Sequence, residues 1–155
     1  MTVKTFYAPN EVGAFLAAET NGQVPQILQT VIASSAAVTT TQMQGFAIYF
    51  VPINSTRVRW TVTGQIVPAA TTVWNLYPSY GTGTAPSNGG ATAGTQLTYG
   101  AGGTAPTGPG VASFSFDVVI TGLSPGTQYW FDVENVFSTS TMGAITKITS
   151  LIVEI

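Results

Sequence analysis

Apolar and polar residues alternate along three stretches of the chain with the period of two that a half-buried β-strand requires. In 57–66, Val58, Trp60, Val62 and Ile66 share one face, and Arg57, Arg59, Thr61 and Thr63 share the other. In 111–120, Phe114, Phe116, Val118 and Ile120 oppose Ser113, Ser115 and Asp117. In 128–136, Tyr129, Phe131 and Val133 oppose Trp130, Asp132 and Glu134. Each pattern predicts a strand with one face in a core and a more polar face outward. Strand-forming residues between Gly, Pro, Ser and Asn clusters predict five further strands at 26–33, 43–53, 71–80, 95–99 and 144–154. Eight strands is the count of a jelly roll, so the expected fold is an all-β sandwich of that type.

The 43–53 stretch differs from the other strands. Tyr49, Val51 and Ile53 lie on one face, and Phe46, Ile48 and Phe50 lie on the other. A strand apolar on both faces is expected to be covered on both, by the N-terminal segment or by another subunit. Residues 1–42 read as a unit apart from a sandwich domain at 43–155, with 26–33 available as an added strand. Within 1–42, Phe6, Tyr7, Phe15 and Leu16 are dispersed among Pro9, Gly13, Gly22 and Pro25. Helical spacing of Val12, Phe15, Leu16 and Glu19 permits a short helix at 11–20. The favoured expectation is an extended arm, laid over the sandwich or onto a neighbour. Phe6, Tyr7, Phe15, Leu16, Phe46, Ile48 and Phe50 are therefore the expected interface residues.

Charge changes the picture from shape to chemistry. The 155 residues include four Lys or Arg, six Asp or Glu, and no His or Cys. Charged residues are 6% of the chain, against about 25% in an ordinary soluble domain. Disulfide frameworks and thiolate metal sites are thereby excluded. A net charge of −2 gives no electrostatic reason to expect nucleic acid as a partner. No run approaches the ~20 apolar residues of a membrane span. The start, Met1 to Asn10, carries one Lys and no apolar region with a cleavage site behind it, unlike a signal peptide.

Catalysis has few candidate groups. A Ser or Thr nucleophile would have only Lys4, Lys147 or a carboxylate as its base. Asp132 and Glu134 stand two apart on one strand face, about 7 Å along the chain, a separation that inverting glycoside hydrolysis would accept. The plainer expectation places them on a solvent-facing strand, paired with Arg57 and Arg59, where such a pair contributes little. The carboxylates are scattered and form no calcium loop. No catalytic residue, metal or cofactor is expected. Asn54-Ser55-Thr56 matches a glycosylation sequon but reads as a turn between two strands.

Two local motifs are informative. Leu123-Ser124-Pro125-Gly126-Thr127-Gln128-Tyr129 is a tight corner, with Pro125 presetting the turn and Gly126 supplying a positive φ. This corner resembles that of fibronectin type III domains. The resemblance implies that the Tyr129 hydroxyl bonds to backbone upstream, and it makes a fibronectin- or immunoglobulin-like sandwich the alternative fold. The second motif is the Gly- and Thr-rich run from Tyr80 to Thr95. No Lys or helix follows it as a phosphate cradle would need. It reads as a long loop, with Tyr80, Gly81, Thr82 and Gly83 as candidate contacts. Gly100 to Gly110 reads as a second surface loop. Trp74, Tyr77, Tyr80, Tyr99 and Trp130 would suit either a sugar-stacking platform or burial at an interface, and burial is favoured among so few charges.

The run Arg57-Val58-Arg59-Trp60-Thr61-Val62-Thr63-Gly64, the Tyr80-Gly81-Thr82-Gly83-Thr84-Ala85-Pro86 loop and the Leu-Ser-Pro-Gly-Thr-Gln-Tyr-Trp corner follow one another in order. Together they resemble a recurrent unit of tailed-bacteriophage virion proteins, over Arg57 to about Val136. The resemblance implies a non-enzymatic structural protein of the virion, assembled in the host cytoplasm. A capsid decoration or cement protein is the favoured form. Its expected partners are copies of itself, as a trimer, and the major capsid or other virion proteins. The alternative is a module of a tail or head fibre that binds a carbohydrate or host receptor.

Overall fold

The computed structural model describes residues 26–32, 41–68, 73–98, 100–104, 110–137 and 143–155. Its strands are β1 Ile27–Ile32, β2 Gln42–Met43, β3 Ile48–Phe50, β4 Val58–Pro68, β5 Val73–Thr82, β6 Thr95–Gln96, β7 Ala101–Thr104, β8 Ala112–Ile120, β9 Tyr129–Phe137 and β10 Gly143–Glu154. They form two antiparallel sheets. The first runs β1-β10-β4-β8. The second runs β2-β9-β5-β6, with β3 also on β9 and β7 also on β5.

Because β2 and β3 border successive parts of β9, they act as one interrupted strand, and β6 and β7 do the same along β5. Renumbered on that basis, the strand orders are 1-8-3-6 and 2-7-4-5. Successive strands cross between sheets except at 4–5, which is the double Greek key of a jelly roll. An immunoglobulin-type sandwich would instead group strands 1, 2, 5 and 4 in one sheet. The fold is therefore the jelly-roll sandwich, and the fibronectin-like alternative is set aside.

The core lies between the sheets and follows the alternation. Val58, Trp60, Val62 and Ile66 of β4 are fully buried, and Phe114, Phe116 and Ile120 of β8 lie beside them. Trp60 ties the layers together, meeting Phe116 of its own sheet and Phe131 of the other edge-on at 5.4 Å each. Its indole Nε1 donates to Ser150 Oγ at 2.9 Å, so the ring is buried without an orphaned donor. In β10 the register shifts between Thr146 and Thr149, where Lys147 adopts a φ of 52°. That bulge lets Ile145 on one side and Ile148 and Ile152 on the other all face the core.

Some elements differ from the sequence pattern. The 43–53 stretch is broken at 44–47, where Gly45 and Ala47 have φ of 70° and 49°. Phe46, Ile48 and Phe50 join the core of their own chain, so no neighbour is needed to cover them. The opposite side chains, Tyr49, Val51 and Ile53, are exposed. That strand is apolar on both faces, but only one face is covered among the described residues. Among its described residues, the 95–99 stretch is strand only at β6, and β7 arises within a run read as loop. At the other end of the chain, β1 pairs with β10 through all six of its residues. Phe6, Tyr7, Phe15 and Leu16, the 11–20 stretch and Tyr99 lie outside the described residues.

Candidate functional site

Trp130, Asp132 and Glu134 project from the side of β9 away from the core, and all three are buried. This corrects the expectation of a solvent-facing strand. Arg57 and Arg59 do not reach these carboxylates, because β4 belongs to the other sheet. The cover comes from the chain itself: the 44–47 turn on one side and the Gly/Thr-rich loop between β5 and β6 on the other.

Asp132 holds the turn. Its Oδ1 accepts from the Phe46 N–H at 3.0 Å and the Val133 N–H at 2.7 Å. Its Oδ2 accepts from the Gly45 N–H at 2.9 Å. Burial pushes its pKa up to about 6, against the lowering effect of those three N–H donors. The positive φ at Gly45 brings the turn against the loop so closely that a Cβ there would lie 2.3 Å from Asn88 N. Met43 N–H donates to Gly90 O at 3.0 Å, Gly89 N–H to Met43 O at 2.9 Å, and the Asn88 amide to Gln44 O at 3.0 Å. Turn and loop are thus bonded to each other as well as to β9.

Glu134 and Trp130 hold the rest of the loop. Thr92 Oγ1 donates to Glu134 Oε1 at 3.0 Å, and Gln96 Nε2 donates to Oε2. Trp130 Nε1 donates to Thr82 O at 3.1 Å. Its ring is clasped between Gly81 and Gly94. A Cβ at Gly81 would come within 2.6 Å of the indole, and one at Gly94 within 2.5 Å of the indole and 2.4 Å of Tyr80 O. Glycine at these two positions makes room for the ring.

The predicted loop contacts divide accordingly. Tyr80 is half-buried and stacks on Phe131 with centroids 6.3 Å apart. Gly81 lies over Trp130, Thr82 accepts the indole bond, and Gly83 is exposed at a φ of 79°. The alternative of a sugar-stacking platform is not laid out toward solvent at Trp74 and Trp130. Trp74 faces the core beside Phe114, and Trp130 lies beneath the loop.

At the Pro125-Gly126 corner, Ser124 N–H donates to the Tyr129 hydroxyl at 3.0 Å, and Gly126 N–H donates to Pro52 O at 2.7 Å. Gly126 has a φ of 81°. Beside this corner lies a carboxylate clamp that the sequence reading missed. Glu154 Oε2 accepts from Gln26 N–H at 2.7 Å, and Oε1 accepts from the N–H groups of Ile53, Asn54 and Ser55. Burial is the largest single influence on Glu154 and raises its pKa, but the four donors together leave it lowered. The sequon residues therefore form a carboxylate-binding turn. The only available signal was a lone acid at the end of the last strand, after the apolar run Leu151-Ile152-Val153.

Arg59 and Asp117 form an exposed ion pair on the outer face of the first sheet, with Nε 2.9 Å from both carboxylate oxygens. Hydrogen bonding and charge attraction raise Arg59, and the bond from Arg59 lowers Asp117 against a weaker effect of burial. Among the described residues, no three His, Cys, Asp or Glu side chains group as metal ligands. No helix among them is long and apolar enough to cross a membrane. The site can fasten a loop rigidly to a sheet, because its acids are already engaged by N–H, hydroxyl and amide donors.

No family model and no curated protein matches the chain. Among solved structures it is similar to that of infectious bursal disease virus, Gx strain, at 9% identity, over 83% of this chain and 36% of that one, with a TM-score of 0.38. It is also similar to that of T=1 particles derived from infectious bursal virus, at 12% identity, over 84% and 36%, with a TM-score of 0.30. The chain spans 36% of the length of either viral chain.

Proposed function

We propose that the chain is a non-enzymatic structural protein of a bacteriophage particle, a decoration or cement protein that stabilises the head by packing between subunits. The observation that carries this reading is the engagement of Asp132, Glu134 and Glu154 in fastening turns and loops to strands. Those bonds build a stiff, nearly uncharged body, whose exposed side chains suit packing better than chemistry. The phage-like order of motifs from Arg57 to Val136 supports the virion assignment, and scarce charge lowers the desolvation cost of packing copies together. The partners are other copies of the chain and the major capsid protein, assembled in the host cytoplasm. The glycan-binding alternative draws no support from Trp74 or Trp130, which have no face open to a sugar.

Quantitative protein analysis of gradient-purified particles tests the reading. The chain should be present at a fixed copy number in simple ratio to the major capsid protein, and particles lacking it should lose their DNA at lower temperature. Its absence from purified particles would contradict the proposal.

A further inference from the structure

The two sheets have four edges, and three of them are blunted in ways that prevent strand addition. On the second sheet, β2 and β3 are short and broken by the positive-φ turn, and β6 and β7 are two and four residues long. On the first sheet, β8 carries Asp117 with its Arg59 partner. The fourth edge, β1, has no such guard. Ile27-Leu28-Gln29-Thr30-Val31-Ile32 is six residues long, uncharged, and free of Pro and Gly. Among the described residues, only β10 pairs with it.

Glu154 N–H donates to Gln26 O directly opposite it, which makes Gln26 and Glu154 a hydrogen-bonded pair of the ladder. Antiparallel ladders alternate, so Leu28, Thr30 and Ile32 also direct their backbone groups to β10. The N–H and C=O of Ile27, Gln29 and Val31 then point to the open side. The side chains of these three residues face outward, with Val31 79% exposed and Ile27 47% exposed. In register with them on the same face stand Val153 and Leu151 of β10, both half-buried.

We propose that β1 is the docking edge for the β1 strand of a second copy, paired antiparallel about a two-fold axis through Gln29. This deepens the self-association proposed above and does not depend on the particle. In that register Gln29 faces Gln29 of the other copy, and Ile27 faces its Val31. Residues of the same face stay together, as a continuous sheet demands. All three open N–H groups and all three open C=O groups of each copy gain partners, whereas a shift of one rung leaves some unmet. The first sheets of the two copies become one eight-stranded sheet, and their apolar strips join across the axis.

A second copy fits this edge for two reasons. No residue from Thr20 to Thr56 is charged, so the two strands meet with no like charges opposed. The chain's own preceding segment leads into β1 through Pro25. Proline has no N–H to give at the position where a segment folding straight back would need its first rung.

Sedimentation of the full chain, together with single-thiol crosslinking, tests the joint. The chain should sediment as a dimer. Val31→Lys, an edge charge of the kind that guards natural strands, should weaken dimerisation at least ~10-fold with unchanged circular dichroism. The natural chain has no Cys, so Gln29→Cys introduces one thiol per copy. Opposed Cα atoms at such a pair lie about 5.5 Å apart, so a short bis-maleimide should join Gln29→Cys copies in high yield. It should not join Ser115→Cys copies, whose thiol would sit on β8. A dimer untouched by Val31→Lys and not crosslinked at position 29 overturns the joint. A stable trimer, or a monomer that still binds particles, also overturns it while leaving the virion reading in place.

Discussion

Buried carboxylates must be held by donors or kept protonated, and Asp132 and Glu154 strike that balance differently. At Asp132 burial prevails over three N–H groups, and the pKa rises from 3.8 to about 6. At Glu154 four N–H groups together outweigh burial, and the pKa falls. A carboxyl whose pKa is raised by folding binds its proton more tightly in the folded state. Its stabilisation is complete below the unfolded value and is lost as pH rises through about 6. A shift of about two units corresponds to roughly 3 kcal/mol. Glu154 acts in the opposite direction, with its contribution lost as pH falls through its lowered folded value. Stability should therefore rise as pH falls from about 8 to about 5, then decline in stronger acid. Urea unfolding across that range should show the rise in the natural chain and a much flatter profile in Asp132→Asn. A natural chain whose midpoint falls toward pH 5 would refute this assignment.

Among the elements, β4 and β8 could be read directly from the sequence, and β9 only in part. Period-two alternation identifies the residues that share a face, but not what lies against that face. For Val58, Trp60, Val62 and Ile66 the cover is the opposite sheet, which any sandwich supplies. For Trp130 and Glu134 the cover is a loop about forty residues earlier in the chain, fitted by Gly81 and Gly94, and for Asp132 it is the 44–47 turn, further back still. Those glycines read as loop composition, because their purpose depends on a ring that is distant in sequence. The break in 43–53 had one local signal, Gly45, and its cause was the remote carboxylate of Asp132. Two substitutions should separate the loop's fit from its anchoring. Gly94→Ala places a Cβ against Trp130 at a φ of 73° and should cost about 1–3 kcal/mol in urea unfolding. Glu134→Gln weakens the bonds to Thr92 and Gln96, and should increase proteolytic cutting within 83–98 several-fold at a smaller global cost. Equal proteolysis of the Glu134→Gln variant and the natural chain would show that Glu134 does not hold the loop.

For the whole molecule, the outer faces of the two sheets are covered differently. On the outer side of β9, Trp130 and the acids Asp132 and Glu134 are covered from within the chain, by the 44–47 turn and the Gly/Thr-rich loop. On the outer side of β1, the uncharged surface at Ile27 and Val31 remains open among the described residues. The eight-strand pattern made the jelly roll legible, because the inward faces of β4, β8 and β9 were local properties, whereas the break in 43–53 and the strand at β7 were not. The destination of the open surface was not legible, since composition indicates a need for cover without naming the partner. In the proposed role, the internal acids stiffen the sandwich and the charge-poor exterior joins it to other copies and to a phage head. Electron cryomicroscopy of purified particles, with the chain identified by a small tag, tests this most directly. The account predicts regularly spaced copies on the outer surface of the head, with neighbouring copies in contact. Particles without the chain, alongside a free monomer in the infected cell, would contradict it.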